Sequence, residues 1–236
     1  MHKNLIIAGR SLRDFGVVIS GEGTYNGASR EVEVVSVPGR NGDLLMDMGR
    51  YENTPLKYPV SIAKNFPYNA AQLRAFLASL IGYQRIQDDY HPEFFRMGRF
   101  VGPLEFAVGV LSRHGEATLA FDCMPQRFAV AGETPVELTA PAALKNPYLY
   151  EALPLITVYG SGAGSLTVGG SLIDISDVDA TLNLDSDTQN AYKGVENKNN
   201  TVVITGGFPT LTAGETSISW TGGITKVVVT PRWWTI

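Results

Sequence analysis

A chain of 236 residues, 44% hydrophobic and 18% charged, is globular, and its low charged fraction suits a subunit that hides surface against copies of itself. The net charge of −4 comes without any block of like charges, and Arg96, Arg99 and Arg113 are scattered, so the footprint of a duplex-gripping protein is missing. A single cysteine, Cys123, excludes an internal disulfide. With only His2, His91 and His114 beside it, no zinc-ligand spacing can be built, and a small buried hydrophobe is its expected role.

The opening Leu5-Ile6-Ile7-Ala8-Gly9 run is too short for a signal-peptide core, and no segment approaches the roughly 20 apolar residues of a membrane span. Phe15 to Ser20 reads as a strand. Val32, Val34, Val35 and Val37 then lead to Asn41-Gly42, which predicts a tight type I′ hairpin turn, with Leu44 to Met48 leading out. Leu56 to Ala63 alternates as a half-buried strand does. Asn69 reads as the N-cap of one helix to Leu80, with Leu73, Phe76, Leu77 and Leu80 as its apolar stripe and Gly82 beyond its end. Tyr83 to Ile86 is strand-like, and Asp88-Asp89-Tyr90-His91-Pro92-Glu93 has turn composition rather than the look of acid–base machinery. Phe94 to Arg99, Leu104 to Leu111 and Ala117 to Cys123 read as strands, ended by Met124-Pro125.

Composition shifts near Ala131-Gly132-Glu133, which predicts two domains, 1–133 and 134–236. The second half is rich in Gly, Thr and Ser. Its short apolar runs (155–159, 165–168, 172–175, 180–184, 201–205, 217–221 and 226–230) predict seven strands of an antiparallel β-sandwich. The whole reads as mainly β, with a single helix. Gly160-Ser161-Gly162-Ala163-Gly164 is expected to be a hairpin turn and not a phosphate loop, because a strand follows it instead of a helix. Asp174, Asp177, Asp179, Asp185 and Asp187 lack calcium-loop spacing. Trp233 and Trp234 are adjacent on a strand and face opposite ways, so at most one is buried in a given core. The other is available for a partner protein or a sugar.

Several segments occur in an order that resembles the distal tail (Dit) proteins of long-tailed bacteriophages. They are Ser11-Leu12-Arg13-Asp14-Phe15-Gly16, the run Pro38-Gly39-Arg40-Asn41-Gly42-Asp43-Leu44 with Gly49-Arg50-Tyr51-Glu52-Asn53, and Tyr83-Gln84-Arg85 with Asp88-Asp89-Tyr90-His91-Pro92. Phe121 to Phe128, Asn146-Pro147, Pro154 to Gly160, Leu184-Asp185-Ser186-Asp187 with Ala191-Tyr192, Phe208 to Gly214 and Val227 to Trp233 continue the series.

The resemblance implies a non-enzymatic structural hub without cofactor or metal. Its N-terminal domain forms a homo-hexameric ring and extends a β-hairpin arm to a neighbour. Its C-terminal domain is a galectin-like β-sandwich. Implied partners are the tail tube protein above and a tail-associated lysin, fibre or receptor-binding protein below. The implied place is the virion tail tip, assembled in the host cytoplasm, with no membrane insertion and no sequence-specific nucleic-acid binding. Arg40, Asn41, Gly42, Asp43, Leu44 and Met46 are the expected intersubunit residues, and Trp233 and Trp234 the expected partner or sugar contacts. The absence of a large insertion in the second half argues against a built-in carbohydrate module. Two other classes remain: a carbohydrate-binding β-sandwich adhesin using Trp233 or Trp234, and a glycoside hydrolase. The latter needs two carboxylates about 5 to 10 Å apart, and no feature of the sequence pairs any two.

Overall fold

The structure, a computed structural model, describes residues 3–20, 26–108 and 113–236. The chain divides into two compact units, Met1–Arg127 with Ile236, and Phe128–Thr235. The first carries β1 (Leu5–Ile7), β2 (Arg10–Ser11), β3 (Val17–Ile19), β4 (Arg30–Val35), β5 (Leu44–Tyr51), β6 (Thr54–Ile62), α1 (Phe66–Ser79), β7 (Gln84–Asp88), β8 (Phe94–Phe100), β9 (Ala107–Val108) and most of β10 (Gly115–Ala129). The second carries β11 (Val136–Leu138), β12 (Ala142–Asn146), β13 (Leu155–Val168), β14 (Ser171–Asp185), β15 (Asn190–Lys193), β16 (Glu196–Asn197), β17 (Val202–Thr205), β18 (Gly214–Thr230) and β19 (Trp234–Thr235). The fold is mainly β, with antiparallel sheets and one α-helix among the described residues. Of the strand expected over 104–111, residues 109–111 lie outside the described residues.

In the first unit the main sheet runs β2-β1-β7-β8-β10-β6-β3. Alternation explains its centre: Leu56, Tyr58, Val60 and Ile62 of β6 point inward, opposite Phe121, Leu119, Ala117 and Gly115 of β10. Helix α1 covers this face with Phe66, Ala70, Leu73 and Leu77, and Phe76 stacks on Phe15 at 5.2 Å. The helix begins three residues before the expected Asn69. Pro67 sits in its first turn, where no backbone donor is needed. Asn65 holds the N-cap position, and Asn69 lies inside the helix with its Nδ2 donating to Lys64 O at 2.9 Å.

The strand expected to stop at Pro125 instead continues to Ala129. Ladder parity explains why. Pro59 O accepts from Ser20 N–H on the β3 side, so the β6 residues that bond to β10 are the even-numbered ones, down to Thr54 opposite Cys123. Pro125 therefore turns its missing donor toward the side where β6 has already ended, and no ladder bond is lost.

In the second unit eight strands form one antiparallel sheet with core order β11-β18-β13-β14-β15-β16. The expected seven short strands are resolved differently. Segments 155–159 and 165–168 are the two halves of β13, 172–175 and 180–184 those of β14, and 217–221 and 226–230 those of β18. Likewise the Gly160–Gly164 segment is not a hairpin turn. It is a bend inside β13, where the register with both neighbours shifts. A Cβ at Gly160 would collide with Gly223 O, and one at Gly223 with Ser161 O, so glycine lets the two bent strands cross in contact. Ile156, Val158, Leu166 and Val168 of β13 are buried on both sides of the bend, as are Ile173, Ile175, Leu182 and Leu184 of β14. No α-helix covers them in this unit.

Candidate functional site

Strands β4 and β5 pair only with each other and form a separate two-stranded sheet. The register sets Val35 opposite Leu44, Val34 opposite Leu45, Glu33 opposite Met46 and Val32 opposite Asp47, with a bulge before Arg30 meets Tyr51. Cross-strand partners share a face. One face therefore carries Val32, Val34 and Leu45 beside Asp47, and the other Val35, Leu44 and Met46 around Glu33. Both faces are apolar, and neither is covered: no residue of the two strands is buried, and Leu45 and Met48 are 66% and 55% exposed. Eight residues of β5 give the arm a reach of about 27 Å.

Polar contacts hold the arm straight. Asp47 accepts from Gly49 N–H at 2.8 Å and from Arg30 Nε at 2.6 Å, and these two donors hold its carboxyl below the usual range. Arg50 pairs with Glu31 across the bulge, and Gly49 takes the positive φ that the bulge requires. At the base, Glu52 N–H donates to Ser29 O, Asn26 Nδ2 to Pro55 O, and Asn53 Nδ2 to both Tyr83 Oη and Asp122 Oδ2. The arm is thus a fixed projection of the first unit.

The predicted residues Arg40, Asn41, Gly42 and Asp43 all lie exposed in the connection at the tip, and Leu44 and Met46 on β5. The turn itself differs from the expected two-residue form. The connection spans residues 36–43, and its positive-φ positions are Gly39 and Gly42, not Asn41. Arg40 N–H closes a turn onto Val37 O at 3.2 Å. The reason lies in the sequence: Pro38 cannot donate to a ladder, so the strands part before reaching Asn41. Val32 and Val34 join the apolar set from β4; their alternation was the signal.

Trp233 and Trp234 are separated as their adjacency requires. Trp233 is 9% exposed and its backbone carbonyl accepts from Ala129 N–H at 2.8 Å. Trp234 is partly exposed, stacks on Tyr150 at 4.6 Å and donates Nε1–H to Glu151 O at 2.8 Å. Arg232, at φ 58°, forks onto Asp185 at 2.7 and 3.3 Å just before them. Cys123 is fully buried, and burial pushes its thiol up to about 11. Asp88 is used structurally: it accepts from Tyr58 Oη–H at 2.5 Å and from the Tyr90 and His91 N–H groups at 2.9 Å each.

No family model and no curated protein matches the sequence. Among solved structures, the Dit protein of phage SPP1, described as a paradigm of the hub adsorption apparatus in phages infecting Gram-positive bacteria, matches over 100% of both chains with a TM-score of 0.78 at 14% identity. A chain of the phage P2 baseplate, in its activated conformation with Ca, matches over 97% of each chain with a TM-score of 0.54 at 8% identity. The chain has the Dit fold.

Proposed function

We propose that this chain is a structural distal tail protein of a long-tailed bacteriophage or prophage, a non-enzymatic hub at the tail tip. Six copies form a ring through the first unit, and the arm of each copy, with Arg40, Asn41, Gly42, Asp43, Leu44 and Met46, seats on the next. The second unit is the galectin-like sandwich on the outside of the ring, with Trp234 facing a protein neighbour. The ring joins the tail tube protein to the lysin, fibre or receptor-binding proteins of the tip.

The observation that carries this reading is the arm. An isolated two-stranded sheet is marginal in water, and this one leaves apolar side chains bare on both faces. The likeness to the SPP1 hub protein along the entire chain supports it. Cyclic head-to-tail contacts close into a ring, and a permanent one buries more than roughly 2,000 Å² per contact. Analytical ultracentrifugation across a concentration series tests it. The expected result is a species of six times 25.5 kDa at the upper end, and a monomer at every concentration overturns it.

A further inference from the structure

Arg96 on β8 and Arg127 on β10 line one recess of the first unit, together with Tyr58, Asp88, His91 and Phe94. The sequence separates these two cations by thirty residues, and the neighbouring strands bring them together. Arg127 lies over the Phe94 ring with Cζ 4.4 Å from its centroid. Arg96 Nη2 donates to Asn26 O at 3.2 Å. Neither guanidinium forms an ion pair among the described residues.

The carboxylate nearest to hand is committed elsewhere. Asp88 takes one hydroxyl and two backbone donors, and it is the one carboxylate that lines the recess beside the two guanidinium groups. Burial, and then repulsion from Arg127, press the Arg96 guanidinium below its ordinary value. Two guanidinium groups that line one recess, each held by a neutral contact and with N–H donors to spare, suit an acceptor that carries negative charge. The enclosed space is about 20 Å³, room for one water-sized group.

We propose that this recess is a carboxylate-binding site, in which one oxygen of a carboxylate enters between Arg96 and Arg127 and accepts from both. Charge-assisted N–H···O bonds are the strong class of hydrogen bond, and the planar guanidinium is the group suited to form them. The carboxylate is either a small free anion or the Asp or Glu side chain of a second copy. This site does not depend on the arm or the ring.

The test uses sodium acetate against sodium chloride of equal ionic strength, read on the arginine Nε–H signals of the full-length chain by NMR. The expected result is a saturating shift at Arg96 and Arg127 and none at Arg40, which stands exposed at the arm tip. Arg127→Gln, confirmed folded by circular dichroism, weakens the remaining response at Arg96 about tenfold or more. Signals at Arg96 and Arg127 that drift linearly and no further than Arg40 overturn the proposal, as does an Arg127→Gln variant with unchanged affinity. The source of the carboxylate follows from sedimentation in the same titration. Acetate that fills the site while dissociating the oligomer identifies a side chain of a second copy. Acetate that fills it without changing the mass identifies a free anion.

Discussion

Strands β5 and β6 are separated by only two residues, yet they obey different rules. In β6 the positions alternate strictly between buried and exposed from Thr54 to Val60. In β5, Leu44 to Arg50 are all exposed, although Leu44, Leu45, Met46 and Met48 are as apolar as anything in β6. Alternation belongs to a strand with one face covered and one face wet. β6 has that cover from its own unit, through β10 and α1. β5 has none, and apolar side chains stand on both of its faces. Exposed apolar residues on both faces of this uncovered ribbon are the observation on which the proposed intersubunit contact rests.

Truncations across these strands break or sharpen the contrast, ranked here by cost to the folded monomer. Leu119→Ala, opposite Tyr58 in the covered sheet and fully buried, costs about 2–5 kcal/mol in urea unfolding. If it cost no more than an arm substitution, the covered sheet would not be the core. The second unit supplies an intermediate case. Burial alone would raise the Asp185 carboxyl, but the Arg232 hydrogen bonds and charge outweigh it and leave it below its ordinary 3.8. A depressed carboxyl stabilises above its unfolded pKa and loses that contribution as pH falls through the folded one. Urea midpoints should therefore drop below about pH 4 by an increment that Asp185→Asn removes. Asp185 is buried and Arg232 only partly exposed, so the loss is that of a charge-assisted hydrogen bond shielded from water, about 1.5–3 kcal/mol. Leu44→Ser with Met46→Ser changes monomer stability by no more than about 0.5 kcal/mol while abolishing the proposed hexamer in sedimentation. A collapse of cooperative unfolding would instead make the arm part of its own core. Arg30→Ala, which removes the exposed pair with Asp47, leaves the thermal midpoint unmoved and is detected only as a loosening of the arm in hydrogen exchange that shrinks at high salt.

Much of this contrast is legible in the sequence because it rests on period-2 patterning. The 56–62 alternation and the valines of β4 show directly where strands lie. What patterning could not show is where strands continue. Pro125 reads as a stop, and only the pairing parity of β6 reveals that its missing donor is not needed. The Gly160–Gly164 run reads as a turn, because a turn and a bend inside a long strand both call on glycine. The partner that distinguishes them, Gly223, lies some sixty residues away. Arg96 and Arg127 are invisible as a pair for the same reason: each is unremarkable locally, and only the neighbouring of β8 and β10 gives them a common recess. In the arm, Asn41-Gly42 carries a strong local signal for a two-residue turn, but Pro38 three residues earlier outweighs it by opening the ladder first.

The position of β18 in the second unit has a consequence for biosynthesis. This strand pairs with β11, β12 and β13, three segments made long before it. Until residues 214–230 leave the ribosome, β11 and β12 have no neighbour to bond, and β13 is paired on one side only. The unit therefore cannot nucleate progressively as it emerges. Its earlier strands wait, with open edges, for the segment that comes late. Pairings this distant in sequence are slow to form, and unpaired edges during the wait are exposed to other nascent chains. Translation rate between residues 139 and 230 should therefore influence the yield of correctly paired second units.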